Sequence, residues 1–269
     1  MKTLRLFPLE LGRLLRSRLT WLVMLLTVLG PVVGLYLYQS AVSTMNSLYL
    51  ANPAIAGGIA GGILFGLLAI LELDRACRSR VDVLVDAVVS PLTAALTRLS
   101  ALLTTAVLTT TLTMLVWLPI SAGLIGAVFD MVDYVLAYLL FMGLALPLGV
   151  LAAASAYQFT RRADLSLVVF AAFSGLSLTV WADQWQLCWL NPCVWALSDD
   201  FSNFRIYRSV AYMRLTWLAG LAGVWTLSYL CIRQYGKGAL GSLARSIRRA
   251  YRPVIAVTLL ACSGTAYAA

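Results

Sequence analysis

The sequence predicts an all-α fold, a polytopic bundle of transmembrane helices with six spans, a seventh at the C-terminus and an interfacial helix in front. Three observations predict it. Of 269 residues, 61% are hydrophobic and only 12% are charged, where a water-soluble domain carries about 25% charge to cover its surface. Mean hydropathy is +0.88, and the apolar segments run about 20 residues each, enough for a helix to cross roughly 30 Å of hydrocarbon. These segments lack the polar–apolar alternation over about 10 positions that marks membrane barrel strands. Helices, which satisfy their backbone groups internally, are then the remaining way across.

Residues 1–18 are too charged to cross a membrane. On a helix Leu4, Phe7, Leu11 and Leu14 share one face, while Lys2, Arg5, Arg13 and Arg16 fall largely opposite. That pattern fits an interfacial helix on anionic lipid, with Pro8 tolerated in its first turn. The alternative is a ragged basic flank of the first span. That span is expected at about 19–38, kinked at Pro31, and an uncharged loop, 39–53, leads to a second at about 54–73. Gly57, Gly58, Gly61, Gly62 and Gly66 give the second span small residues at helical spacing, which allow close backbone approach. The third, at about 99–120, carries Thr104, Thr105, Thr109, Thr110, Thr111 and Thr113. Their hydroxyls either bond back to carbonyls one turn earlier or line a polar path. The fourth, about 134–157, holds Pro147 as a second expected kink, and the fifth and sixth are expected at about 165–182 and 209–232. A basic segment, 233–252, precedes a last apolar stretch, 253–269. Its basic start and small-residue end resemble a signal peptide, and Leu259-Leu260-Ala261-Cys262 resembles a lipobox. A seventh span leading toward an outside domain is the reading preferred here.

Lys and Arg number five before the first span, four in 74–98, two in 158–164 and six in 233–252. Only Arg205, Arg208 and Arg214 fall on the other side. Positive loops stay inside, so the N-terminus is expected in the cytoplasm of a multi-pass protein of the cell membrane. The same distribution explains the net charge of +9 as topology signals and leaves nucleic acid without a basic patch. The chain has no histidine, which excludes His-based zinc sites and Ser-His or Cys-His nucleophiles. No metal site is expected. No glycine run forms a Walker A loop, so ATP hydrolysis by that route is excluded too.

Residues 72–98 are the longest charged stretch. On a helix Glu72 meets Arg75 and Asp74 meets Arg78, so the second span leaves the membrane on paired charges. Arg80 follows, then Asp82 and Asp86 share one face with Val81, Leu84, Val85 and Val88 on the others. Pro91 breaks the run, and the chain returns to the membrane at Arg98. An amphipathic cytoplasmic helix between two spans is one reading; a solvated loop of balanced charge is the other.

With these residues the chain resembles the ABC-2 family of transporter permeases. That family has an elbow helix before its first span. After the second it carries a stretch commonly written Glu-x-x-x-Gly-Thr-x-Glu-x-Leu-x-x-x-Pro-[Val/Ile]-Ser, the coupling helix. Here Asp82 matches the second acid, Leu84 the leucine, and Val89-Ser90-Pro91-Leu92-Thr93 the turn back, while Arg80-Val81 stands where Gly-Thr is usual. The resemblance therefore rests on the whole layout, which covers about 1–232. It implies a membrane subunit without an ATPase site or cofactor of its own. That subunit pairs with a second permease half, as homo- or heterodimer, and with cytoplasmic ABC ATPase subunits that carry the ATP. Glu72, Asp74, Arg78, Arg80, Asp82, Asp86 and Pro91 become the candidate coupling residues. The resemblance also implies export of a lipid-like or peptide-like substrate.

The loop at 183–208 is rich in tryptophan. Trp181, Trp185 and Trp189 recur every fourth residue, the spacing of one helical face and of an aromatic belt at the outer interface. Asn191-Pro192 stops that helix, and Asp199-Asp200 is placed to begin or cap another. In the resembled family this loop makes re-entrant helices, so Trp181, Trp185, Trp189 and Pro192 are outer-gate candidates; interfacial anchoring alone is the plainer alternative. Cys188 and Cys193 lie on the oxidising side, within bonding reach if the Asn191-Pro192 turn folds them together, whereas Cys77 and Cys231 are expected to stay thiols. Arg214, one turn into the sixth span, is expected to snorkel outward rather than touch substrate. A rival from another class remains, a membrane anchor or sensor module for an extracellular domain beyond residue 269. An intramembrane hydrolase is disfavoured, because Asp130 and Asp133 belong to an outer loop and no acid pair sits at midspan.

Overall fold

The computed structural model describes residues 2–36, 44–78, 91–194, 196–231 and 254–268, and no strand occurs among them. The first helix, α1 (Lys2–Leu15), carries Pro8 in its second turn rather than its first. It buries Leu14 and half-buries Phe7 and Leu11, while Arg13 and Arg16 stay exposed, as the amphipathic pattern predicts. Next, α2 (Arg18–Tyr36) runs through Pro31 without a break. Residues expected in the following loop are already helical, as a π-helical turn (Ser47–Ala51) that continues into α3 (Asn52–Arg78). The third long helix, α4 (Pro91–Ile125), begins on its proline, whose missing N–H is one a first turn leaves unpaired anyway. A short 3-10 turn (Gly126–Val128) leads to α5 (Met131–Ala137), a second π turn (Tyr138–Gly143) and α6 (Ala145–Thr160).

Both π turns precede a proline by a few residues, Pro53 and Pro147. A proline has no N–H for the carbonyl four residues back, so the helix there widens by one residue. Leu144 N accordingly donates to Leu139 O, five residues earlier, at 3.0 Å. The expected disturbance at Pro147 thus takes the form of a π turn.

α7 (Ala163–Leu178) is shorter than expected and ends before Trp181. The chain then runs as turns to α8 (Phe204–Cys231), which starts earlier than expected, and α9 (Val254–Ala268) follows the basic segment. Among the described residues, four stretches are long and apolar enough to cross a membrane: Arg18–Tyr36, Ser47–Arg78, Leu92–Val128 and Met131–Thr160. Exposed leucines and valines cover the outer faces of two of them, among them Leu22, Leu25 and Leu29 on α2 and Leu112, Leu115 and Val116 on α4. Water-soluble helices carry charge in such places.

At the centre α3 is held between α2 and α6. Its glycines serve several neighbours rather than one face: Gly57 lies between Pro31 and Met142, Gly61 between Thr27 and Leu146, Gly58 against the Phe141 backbone, and Gly62 against Leu190 and the Ala145 backbone. The closest approach is at Gly149, where a Cβ would fall 2.0 Å from the Gly62 carbonyl oxygen. Small residues let apolar helices pack closely where no hydrophobic effect drives them together. The six threonines from Thr104 to Thr113 all donate to the carbonyl four residues back, at 2.8–3.1 Å. They are satisfied within the helix. α9 packs on α8 in the opposite direction, with Ser263 Oγ donating to Thr216 O at 2.9 Å and Leu260 lying over Gly223.

Candidate functional site

Two clusters of polar groups stand out, one at each end of the bundle. The basic end gathers the start of α2 and α4 and the end of α3. Glu72 is only 5% exposed there. Its expected partner, Arg75, is 3.8 Å away, whereas Arg13 of α1 donates to it at 2.7 Å. The in-helix pair is thus joined by a closer long-range one, because α1 lies across this end of the bundle and brings a guanidinium to a carboxylate that burial has deprived of water. Arg13 also donates to Glu10 at 2.9 Å, and Arg98 of α4 reaches the other Glu10 oxygen at 3.4 Å. Asp74 and Arg78 pair at 2.6 Å as expected, and Tyr157 of α6 donates to Asp74 at 3.4 Å. Pro91 is the first residue of α4. Arg80, Asp82 and Asp86, and with them most of the expected coupling helix, lie outside the described residues.

At the other end, residues 179–203 form turns, with no α-helix among those described. The three tryptophans consequently do not share a face. Trp185 is 51% exposed, Trp181 half-buried and Trp189 fully buried, stacked on Phe173 with ring centroids 5.0 Å apart. A helix would have kept them in register; the turns let Trp189 fold inward while Trp185 stays out.

What holds this loop in the bundle is Arg214. The expected snorkelling does not occur: the side chain is 0% exposed. It donates to the carbonyls of Trp189, Leu190 (3.2 Å) and Phe141 (3.1 Å), the last within the π turn. No carboxylate lies within ion-pair reach of it among the described residues. A guanidinium presents five donors in a planar fork and cannot be deprotonated, so main-chain carbonyls converging from two segments are a fitting cage. In the sequence, the signal was a lone arginine in an apolar run, preceded by a proline-broken loop able to supply free carbonyls.

Hydrogen bonds fasten the same loop on its far side. Leu197 N donates to Ser47 Oγ at 2.7 Å, and Thr44 Oγ1 donates to Leu197 O at 2.6 Å. Asp199 accepts from the backbone N–H groups of Met45 and Asn46, both at 2.8 Å. It therefore caps the start of the second apolar stretch rather than a helix of its own. Asn203 donates to Asp133 at 2.8 Å, and Asp130 caps α5 by accepting from Val132 N. The Asn191-Pro192 turn brings the Cys188 and Cys193 sulfurs to 2.6 Å, both as thiols in this structure. The hydrogen bond from Cys193 lowers Cys188 to about 7 against the opposing effect of burial, and the same bond pushes Cys193 up. The pairing therefore favours the thiolate at Cys188 over that at Cys193.

Searches against protein-family models, curated proteins and solved structures return no match for this chain. Its class rests on its own geometry: the described residues are mostly helical, without strands, and hold four stretches long and apolar enough to cross a membrane.

Proposed function

We propose that this chain is the membrane subunit of an ATP-driven transporter of the ABC-2 type, multi-pass in the cell membrane with its N-terminus in the cytoplasm. It exports a lipid-like or peptide-like substrate. Cytoplasmic ABC ATPase subunits bind and hydrolyse the ATP, and a second permease half completes the pathway. In this reading α7, α8 and α9 are spans as well.

One observation carries the proposal. α1 is ion-paired through Arg13 to Glu72 near the end of α3, and through Glu10 to Arg98 near the start of α4. Those two helices flank segment 79–90, which holds the coupling-helix resemblance. Force applied to that segment reaches both spans and the elbow helix together, as a coupling device requires. At the opposite end a plugged, side-chain-latched loop suits an outer gate.

The test is Asp82→Arg with Asp86→Arg in the full chain. Insertion and folding in detergent should persist, because charges on a water-facing loop are replaced within about 0.5 kcal/mol. Co-purification with an ATPase subunit, or coupling of hydrolysis to transport, should be abolished. A reversal at Asp183 and Asp200, two exposed acids of the outer loop, serves as the control. Full ATPase association and transport in the inner variant would reject the coupling role and leave the anchor or sensor module as the better reading.

A further inference from the structure

We infer that the cleft at the basic end binds the headgroup of one anionic phospholipid, with Arg16 and Arg75 taking the phosphodiester. The inference does not depend on an ATPase partner. The cleft has a volume of about 420 Å³ and lies between α1, the start of α2 and the end of α3, within the size range of small-ligand sites. Three arginines line it, Arg13, Arg16 and Arg75, together with Ser17 and Gly12.

Their charges are not balanced from within. Arg13 is committed to Glu10 and Glu72. Arg75 reaches Glu72 only at 3.8 Å and is 66% exposed. Arg16 has no carboxylate within ion-pair reach among the described residues. Two guanidiniums therefore face the cleft with donors to spare, and phosphate oxygens match that fork. Gly12 leaves the floor open, since a Cβ there would meet nothing within 4 Å.

The rim selects a lipid over a free phosphate. Pro8 and Leu9 edge the cleft, and Leu9 is 68% exposed. Ser17 O accepts from Trp21 N, so Ser17, Trp21 and Leu25 continue one helical face away from the cleft. Trp21 is 56% exposed and Leu25 59%. Trp21 turns its indole N–H back to Leu15 O at 2.7 Å, the posture of an aromatic ring at a membrane interface. A headgroup in the cleft thus has an apolar track ready for its acyl chains. Basic pockets beside membrane helices are a known form of lipid recognition.

The probe is an equimolar mixture of phosphatidylglycerol and phosphatidylcholine. It is added to the full-length protein in a nonionic detergent, and bound lipid is read by native mass spectrometry. The wild type should retain phosphatidylglycerol about thirtyfold over phosphatidylcholine, the contribution expected of two arginines at a membrane surface. Arg16→Gln with Arg75→Gln should bring the ratio near parity. Gly12→Leu fills the cleft without touching a charge and should do the same, so a folding defect in one variant does not decide the matter. Parity in the wild type overturns the site, as does an undiminished preference in both variants. Displacement of the lipid by millimolar inorganic phosphate shows that the cleft reads a free anion and removes the lipid. If the arginine variant keeps its lipid but sheds a bound cytoplasmic protein, the cleft is a protein-docking surface instead.

Discussion

The two ends of the bundle solve the placement of charge differently. At the basic end cations outnumber nearby carboxylates and lie mostly in the open: Arg13, Arg75 and Arg78 keep 41%, 66% and 75% of their side chains exposed. At the tryptophan-rich end one cation, Arg214, is wholly enclosed and held by carbonyls alone, through its two terminal nitrogens and with its Nε unpaired. Exposed pairs gain little because water and salt screen them and two long side chains must be ordered. An enclosed guanidinium has no water to fall back on, so each of its hydrogen bonds matters more. The contrast teaches that the number of ion pairs at one end is a poor guide to which end is rigid. The end with fewer charges is the better fastened.

Replacing Arg214 tests this most severely. Arg214→Met should destabilise the detergent-solubilised protein by about 3 kcal/mol, since hydrogen bonds to a charged group contribute roughly 1.5–3 kcal/mol each and relief of the buried charge offsets part of the loss. Arg214→Lys keeps the charge without the fork and should not rescue it. Thermal unfolding measures the loss, and limited proteolysis should shift its cuts into 179–203. A wild-type melting curve for Arg214→Met would mean that the loop is held by Asp199 and Ser47 instead.

The cysteines sharpen the comparison at the same end. We expect a Cys188–Cys193 bond in protein isolated without reductant, seen as a peptide lacking alkylated thiols by mass spectrometry. Closing so short a loop is expected to contribute about 2 kcal/mol. The thiolate is the reacting form. With Cys188 lowered to about 7, oxidation of reduced protein should quicken as pH rises through 7 and slow below it. Two alkylated thiols at every pH would leave Arg214 and the hydrogen bonds of Ser47 and Asp199 to hold the loop without a covalent link.

Much of the fold was legible because it depends on local periodicity. The amphipathic face of α1, the apolar stretches and the threonine back-bonds all follow from spacings of three or four residues. The misses share one cause: each involves a partner far along the chain. Glu72 keeps its expected ion pair with Arg75 at 3.8 Å, but its closer partner, Arg13, lies 59 residues back and is not legible in the local pattern. Arg214 was placed at the membrane edge because the sequence does not show that Trp189 and Leu190 fold back to meet it. The tryptophan spacing of four has meaning only on a helix, and the turns from 179 onward removed that premise.

A double-mutant cycle at Arg13 and Glu72, using Arg13→Gln and Glu72→Gln, addresses the basic end. Glu72 is buried while Arg13 is partly screened. The coupling energy should therefore be about 1 kcal/mol, above the usual surface pair and below the effect at Arg214. A value near zero would mean that α1 is held by its apolar face, through Leu14, and by the Glu10–Arg98 pair rather than by Arg13.

The smallest effect belongs to the shortest ion pair. Arg78 and Asp74 approach to 2.6 Å, yet Arg78 is 75% exposed and sits on the last turn of α3. An i, i+4 pair of this kind contributes about 0.3–0.5 kcal/mol at low salt and less as salt rises. A cycle with Asp74→Asn and Arg78→Gln should return no more than that, and the Tyr157 contact to Asp74 at 3.4 Å is too long to add much. If the cycle gives more than 1 kcal/mol, the exposed end is stiffer than its solvent contact implies and the contrast between the ends weakens. If it gives the small value, the pair is free of structural duty. Any loss of ATPase coupling in Asp74→Asn can then be read as a loss of coupling rather than of folding, because stability will not have moved with it.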